Sequence, residues 1–244
     1  MKYLIVNGMD ESHDLEHEKA NSQFQYTFFK LIIEQTDPNA EVRVLHTYLD
    51  DINSFSYDDY DVFMWTGGLG NIYLSNQHNQ NQLKVCEKIL KLDKPLWGSC
   101  WGLQVIATCY GDKITKTQKF EFGFAENIEI INNHYVYENK KNYFTAPGHH
   151  YDHLEKINSD FEVISQNKIS IQAISHKNKK IFCTQYHPEL PFDFIGKLMK
   201  YWKNNYLKIF NSDEFENRLI LLSQLEQENI FNRKLEIENW LRSI

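Results

Sequence analysis

The segment Pro95-Leu-Trp-Gly-Ser-Cys100-Trp-Gly-Leu-Gln104 constrains this chain more than any other. A short apolar run ends at Gly98 and a single cysteine follows at the turn. Gly102 comes two residues later, and the apolar run Leu103, Val105, Ile106, Ala107 begins at once. The order predicts a strand, a sharp turn and a helix, with a reactive sulfur held at the tip: a nucleophile elbow. The glycines suit it because the turn is tight and backbones approach closely on both sides. The helix start suits it because free N–H groups and the helix dipole favour negative charge on the sulfur.

A cysteine nucleophile needs a base, and the base needs an orienting partner. Both are offered by Gln185-Tyr-His187-Pro-Glu189, which follows the apolar run Ile181-Phe182-Cys183. On an extended segment, His187 and Glu189 would point the same way. The carboxylate could then hold one imidazole nitrogen while the other faces a thiol. A buried cysteine and a surface histidine would be the bland reading of either residue alone. The two segments together favour a Cys100–His187–Glu189 triad.

These residues resemble the class I glutamine amidotransferases, the Cys-His-Glu glutaminases, and within them the GMP-synthetase-like branch. The elbow matches Gly-x-Cys-x-Gly-x-Gln through Gly98, Cys100, Gly102 and Gln104, and the second segment matches Gln-Phe-His-Pro-Glu with Tyr186 in place of Phe. Thr66-Gly67-Gly68-Leu69-Gly70-Asn71 resembles the family's glycine loop. Glu121-Phe-Gly123 resembles its Glu-x-Gly, and His150-Tyr-Asp152 resembles its His-Gly-Asp. The matches span about residues 1–203. Leu69 stands where the family often has Pro, and Tyr151 where it has Gly. The resemblance implies an oxyanion donor at Gly68 beside the elbow's own Trp101 N–H. It also implies glutamine contacts from Gly67 and Gln104, and a face at His150 and Asp152 that meets a synthetase partner or acceptor. A plain polar loop is the equal alternative for 147–153.

The chain has 244 residues, 42% of them hydrophobic, enough for one compact α/β domain with an appendage. Its net charge of −7 and lack of a Lys/Arg run argue against a nucleic-acid surface. Cys86, Cys109 and Cys183 show no zinc spacing and read as packing residues. No apolar stretch nears the ~20 residues that span a membrane, and the N-terminus lacks a signal-peptide pattern. A reducing cytoplasm is the expected home. Three histidines and an aspartate crowd 147–153, but His149 and His150 are adjacent and would diverge on a strand, so neither a metal nor any other cofactor is expected.

Strand and helix patterns alternate from residue 3 to 106: strands at 3–6, 41–46, 60–65 and the elbow strand, helices at 15–35 and 80–92. This predicts a flavodoxin-like three-layer sandwich with a mainly parallel sheet, whose ligands bind beyond the C-terminal strand ends. Short β patterns at 128–131, 143–145, 161–165, 169–174 and 181–185 predict an antiparallel extension, and 192–202 a closing helix. We read 1–205 as the amidotransferase-like domain and 206–244 as a helical extension. The extension carries Phe215, Leu219, Leu222, Leu225, Ile230, Phe231, Leu235 and Leu241 at helical intervals. It either packs on its own domain or serves as an interaction or homodimer helix.

Three functions fit. The leading one is release of ammonia from glutamine through a γ-glutamyl thioester on Cys100, for a separate synthetase or a small acceptor. The second is a stand-alone hydrolase of γ-glutamyl amides or peptides. The third is a non-catalytic protein with a binding or regulatory role, disfavoured by the intact Cys100, His187 and Glu189.

Overall fold

The structure, a computed structural model, describes residues 1–20, 22–229 and 232–244, with the side chains of 117 and 118 outside that description. Ile230 and Phe231 of the helical pattern therefore lie outside the described residues. The elements run β1 (Lys2–Asn7), α1 (Glu11–Lys19), α2 (Gln25–Thr36), β2 (Glu41–His46), β3 (Val62–Trp65), α3 (Gln77–Leu90), β4 (Leu96–Ser99) and α4 (Trp101–Cys109). They continue as β5 (Lys113–Ile130), β6 (Tyr143–Lys156), β7 (Phe161–Gln166), β8 (Ile171–His176), β9 (Ile181–Thr184), α5 (Phe192–Tyr201), α6 (Lys203–Tyr206), α7 (Ser212–Asn229) and α8 (Leu235–Arg242).

Among the described residues the strands form one sheet in the order β2-β1-β3-β4-β9-β8-β7-β5-β6. The half from β2 to β9 is parallel and the half from β9 to β6 is antiparallel; the mixed sheet is as the sequence predicts, except that β9, expected in the antiparallel extension, pairs parallel with β4 and antiparallel only with β8. The inner parallel strands β1, β3, β4 and β9 are buried at nearly every position because both faces are covered, whereas the edge strand β2 alternates polar and apolar residues. On one face α3 and α4 pack Val85, Ile89, Leu103 and Ile106 against Leu4, Val6, Phe63 and Trp65. On the other, α2 and α8 pack Phe29, Ile33, Ile237 and Trp240 against Tyr3, Ile5, Met64 and Trp97. A third cluster joins α5 and α7 to Phe122 and Phe124 of β5.

Three local expectations change. The helix expected over 15–35 is two helices: Asp10 caps α1 by accepting from the His13 N–H, and α2 starts afresh after Phe24. Helix α1 is almost wholly polar, so it does not extend the apolar stripe that begins at α2. The stretch 147–153 is not a loop but the middle of β6, paired with β5 from Lys113 to Glu129 through three register shifts. The short strand expected at 128–131 is the end of β5, which is 18 residues long. Polar residues interrupt the period-2 signal in both strands, so the alternation does not mark them over their full length.

Candidate active site

Three neighbouring strand ends build the site. Parallel register sets Trp65 beside Gly98 and Gly98 beside Cys183, so β3, β4 and β9 finish on one edge of the sheet. Beyond β3 comes the glycine loop, beyond β4 the cysteine, beyond β9 the histidine. Residues far apart in the chain thus converge without any long excursion of the backbone.

At the tip of the elbow Cys100 has φ 50° and ψ −99°, a left-handed conformation for a residue with a side chain. Such a geometry costs of order 1–3 kcal/mol and persists only where its surroundings impose it. Here the Cys100 N–H donates to the Thr184 carbonyl at 2.7 Å, and the Cys100 carbonyl accepts from the Gln104 N–H at 3.1 Å as α4 starts. Gly102 allows that helix to press on β3: a Cβ there would lie 2.7 Å from the Trp65 Cβ and 2.9 Å from its carbonyl oxygen.

His187 and Glu189 lie past the end of β9, in a bent segment rather than on the extended strand the spacing suggested. They meet nonetheless: His187 Nδ1 lies 2.6 Å from Glu189 Oε1. A carboxylate only accepts, so Nδ1 carries the proton and the other nitrogen, Nε2, is left for the sulfur. Burial alone would pull the His187 imidazolium down. The charges of the Glu189 carboxylate, which is hydrogen-bonded to the ring, and of the nearby Cys100 sulfur outweigh it and push the group up to about 10. Cys100, His187 and Glu189 are 4%, 3% and 1% exposed, so this charge is held away from bulk water.

Several further residues brace this arrangement, and Ser99, Arg233, Glu236 and Lys140 among them carry no sequence signal. Ser99 Oγ donates to Glu189 Oε2 at 2.9 Å and accepts from the Trp97 indole N–H at 3.0 Å. Gln185 Nε2 lies 3.5 Å from the Cys100 sulfur. Arg233, between α7 and α8, donates to the carbonyl oxygens of Pro188 at 3.0 Å and Glu189 at 2.8 Å. The Tyr186 hydroxyl donates to Glu236 Oε1 of α8 at 2.8 Å, and Glu236 pairs in turn with buried Lys140. The tyrosine at 186 therefore has a partner that a phenylalanine would leave unmet.

The remaining candidates surround the sulfur. Gly67 leaves room for the imidazole: a Cβ would stand 2.4 Å from His187 Cε1. Gly68 approaches Gly8, whose carbonyl oxygen would lie 2.3 Å from a Cβ. Gln104 is buried and donates to the Asp152 carbonyl at 3.2 Å, so it does not face solvent. The Asp152 carboxylate accepts from Asn71 Nδ2 at 2.6 Å and from the Tyr73 hydroxyl at 3.3 Å, which ties the glycine loop to β6. His150 Nε2 lies 2.8 Å from Glu121 Oε2, and Glu121 also accepts from Asn167 and Gln172. His149 turns the other way, to the Tyr206 hydroxyl at 2.9 Å; burial and the neighbouring His187 and His150 push it down to about 3, so it is neutral. Among the described residues no set of three His, Cys, Asp or Glu side chains converges as metal ligands.

A cavity of about 510 Å³ opens over Cys100. Gly68, Trp101, Gln104, His150 and Asp152 line it together with Phe122 and Tyr151, as do Trp202, Tyr206 and Ile209, which the sequence did not single out. Phe122 stacks on His149 at 4.8 Å and meets Tyr151 edge-on at 4.6 Å, so this wall is aromatic and preformed.

The sequence profile described as glutamine amidotransferase class-I matches residues 20–197. A glutamine-hydrolysing GMP synthase of Fusobacterium nucleatum is 34% identical over 134 residues, covering 50% of this chain and 26% of that protein. One of the separate chains of a glutamine-hydrolysing GMP synthase, from Methanococcus vannielii, is 30% identical over 130 residues, covering 52% of this chain and 68% of that one. The chain thus spans about a quarter of the length of the first of these relatives. Among solved structures, a glutamine amidotransferase from Thermotoga maritima superposes with a TM-score of 0.73 at 18% identity, over 99% of this chain and 96% of that one. No helix among the described residues is long and apolar enough to cross a membrane.

Proposed function

Because the chain belongs to the class-I glutamine amidotransferase family, we propose that it cleaves the side-chain amide of glutamine through a γ-glutamyl thioester on Cys100. The observation that carries this reading is the buried His187–Glu189 pair, hydrogen-bonded at 2.6 Å and electrostatically coupled to the Cys100 sulfur, which lines the large cavity. The sulfur attacks the amide carbon, forming the S–C bond. His187 gives its proton to the departing nitrogen as the C–N bond breaks, and ammonia leaves. Water then adds to the thioester, its proton passes to His187, the C–S bond breaks and glutamate is released. The backbone N–H groups of Trp101 and Gly68 stabilise the oxyanion, and loss of one such donor typically costs about 3–4 kcal/mol. Gly67 and Gln104 contact the glutamyl group, while His150 and Asp152 form the face toward the acceptor.

In this reading the ammonia passes to a separate synthetase in the cytoplasm. The GMP synthase relatives, one of them a separate subunit, support it. Residues 1–205 supply the chemistry, and 206–244 brace it through Arg233 and Glu236.

The size and lining of the cavity favour a second reading, hydrolysis of a larger γ-glutamyl amide. About 510 Å³ lies in the ~300–1,000 Å³ range that holds drug-sized ligands, more than one amino acid fills. The described residues lining it include no Lys or Arg, and its far wall of Phe122, Tyr151, Trp202 and Tyr206 suits an apolar amine rather than a phosphorylated acceptor. Both readings are tested on the chain alone, with glutamine and a series of γ-glutamyl alkyl and arylalkyl amides. Glutamate release that requires Cys100 supports the acyl-enzyme. Release from glutamine alone favours the first reading, and a marked preference for the amides favours the second. Full activity in Cys100→Ala would refute both.

A further inference from the structure

Beside His187, separated from the large cavity by a shared wall of Gly68, Leu69, His149 and Trp202, lies a second chamber of about 30 Å³, lined also by His17, Gln25, His187 and the apolar side chains of Met9 and Leu190. Its volume is about that of one water molecule in the liquid. Two polar side chains at its wall have no partner among the described residues. Gln25 Oε1, on the first turn of α2, is buried and unpaired. His17, on α1, is 1% exposed, stacks on Phe194 at 5.7 Å, and has neither ring nitrogen paired. Buried polar atoms are nearly always satisfied, and an orphan needs an explanation.

Gln25 Oε1 and the imidazole of His187 face each other across Gly67. A Cβ on Gly67 would stand 2.6 Å from Gln25 Oε1, 2.4 Å from His187 Cε1 and 3.3 Å from His187 Nε2. The glycine thus keeps open the space between an unpaired acceptor and the nitrogen that serves as base. Burial pulls His17 down, so its ring is neutral and offers one donor and one acceptor. A small neutral molecule here would find the two to four polar partners that a buried water requires.

We propose that this chamber holds the water that hydrolyses the γ-glutamyl thioester, with Gln25 and His17 as its positioning residues. The inference rests on the acyl-enzyme reading above. One O–H of the water donates to Gln25 Oε1, and the other points to His187 Nε2. The oxygen adds to the thioester carbon, His187 takes the proton, and the C–S bond breaks to restore the sulfur beside the His187 imidazolium. The leaving nitrogen of the first step departs instead through the large cavity, into which Cys100 opens.

The test is partition of the acyl-enzyme between water and hydroxylamine, which reaches Cys100 from the large cavity. The ratio of γ-glutamyl hydroxamate to glutamate does not depend on which step limits turnover. Gln25→Leu should raise that ratio about tenfold, less than the 10²–10⁴ a general base itself supplies, and His17→Phe should raise it in the same direction. Gln25→Met, which keeps the length and removes the acceptor, carries the same expectation should the leucine variant fold poorly. An unchanged ratio in the folded variants overturns the proposal. So does a fall in kcat/KM with the ratio unmoved, which would make the chamber a route for ammonia. If wild-type protein yields neither hydroxamate nor glutamate, the acyl-enzyme reading itself fails.

Discussion

Cys100 holds its left-handed backbone because β4 must end and α4 begin within one residue, leaving the sulfur at the helix start with His187 beside it. Glu189 contributes to that arrangement by charge and by orientation, so Glu189→Gln should lower the His187 pKa by NMR titration and reduce kcat by about 10²-fold or more. The raised His187 value also carries a sign in stability. The folded protein binds this proton more tightly than the unfolded chain, where imidazole titrates near ~6.5. Its contribution is full below that pH and is lost as pH rises through about 10. The stability difference between wild type and His187→Gln, read from urea unfolding, should therefore shrink steadily across that window; a difference that grows with pH would contradict the assignment. Cys86 is a useful contrast, since burial raises its thiol well above the ordinary range, and it should stay unlabelled under conditions that alkylate Cys100.

At the scale of elements, the elbow depends on close contact between α4 and β3. Gly102→Ala places a methyl on Trp65, where neither backbone can easily yield, and should destabilise by about 1–3 kcal/mol in chemical denaturation. Helix α8 is held by Trp240, which is fully buried and meets Trp97 edge-on at 5.6 Å. Trp240→Ala should cost about 3–5 kcal/mol. Because Trp97 donates to Ser99, the same change should also lower kcat. The elbow was legible in the sequence because each residue type in Gly-x-Cys-x-Gly answers a local backbone demand. Ser99 was not, since its role depends on meeting Glu189, 90 positions away, and a serine at a strand end has no local signature. Arg233 was hidden for the same reason: its partners are the backbone carbonyls of Pro188 and Glu189, and any residue type could supply those.

For the molecule as a whole, the parallel order β3-β4-β9 is what brings the glycine loop, the sulfur and the imidazole to one edge. Alternating strand and helix patterns were enough to predict β1 to β4 as parallel with helices on both faces, but not that β9 joins them beside β4. The long strands β5 and β6 were harder to see, because they hold buried polar residues such as Glu121 and His150, which meet each other, and Asp152, which accepts from Asn71 and Tyr73. The closing of the cavity by α6 was invisible, since Trp202 and Tyr206 read simply as apolar residues of a helix. The account stands on one meeting, that of the Cys100 sulfur with the His187 imidazole. A diazoketone analogue of glutamine, followed by peptide mapping, tests it most directly. Modification should fall on Cys100, be prevented by glutamine, and be strongly slowed in His187→Ala. Absence of label on Cys100, or labelling at the same rate without the histidine, would contradict the account.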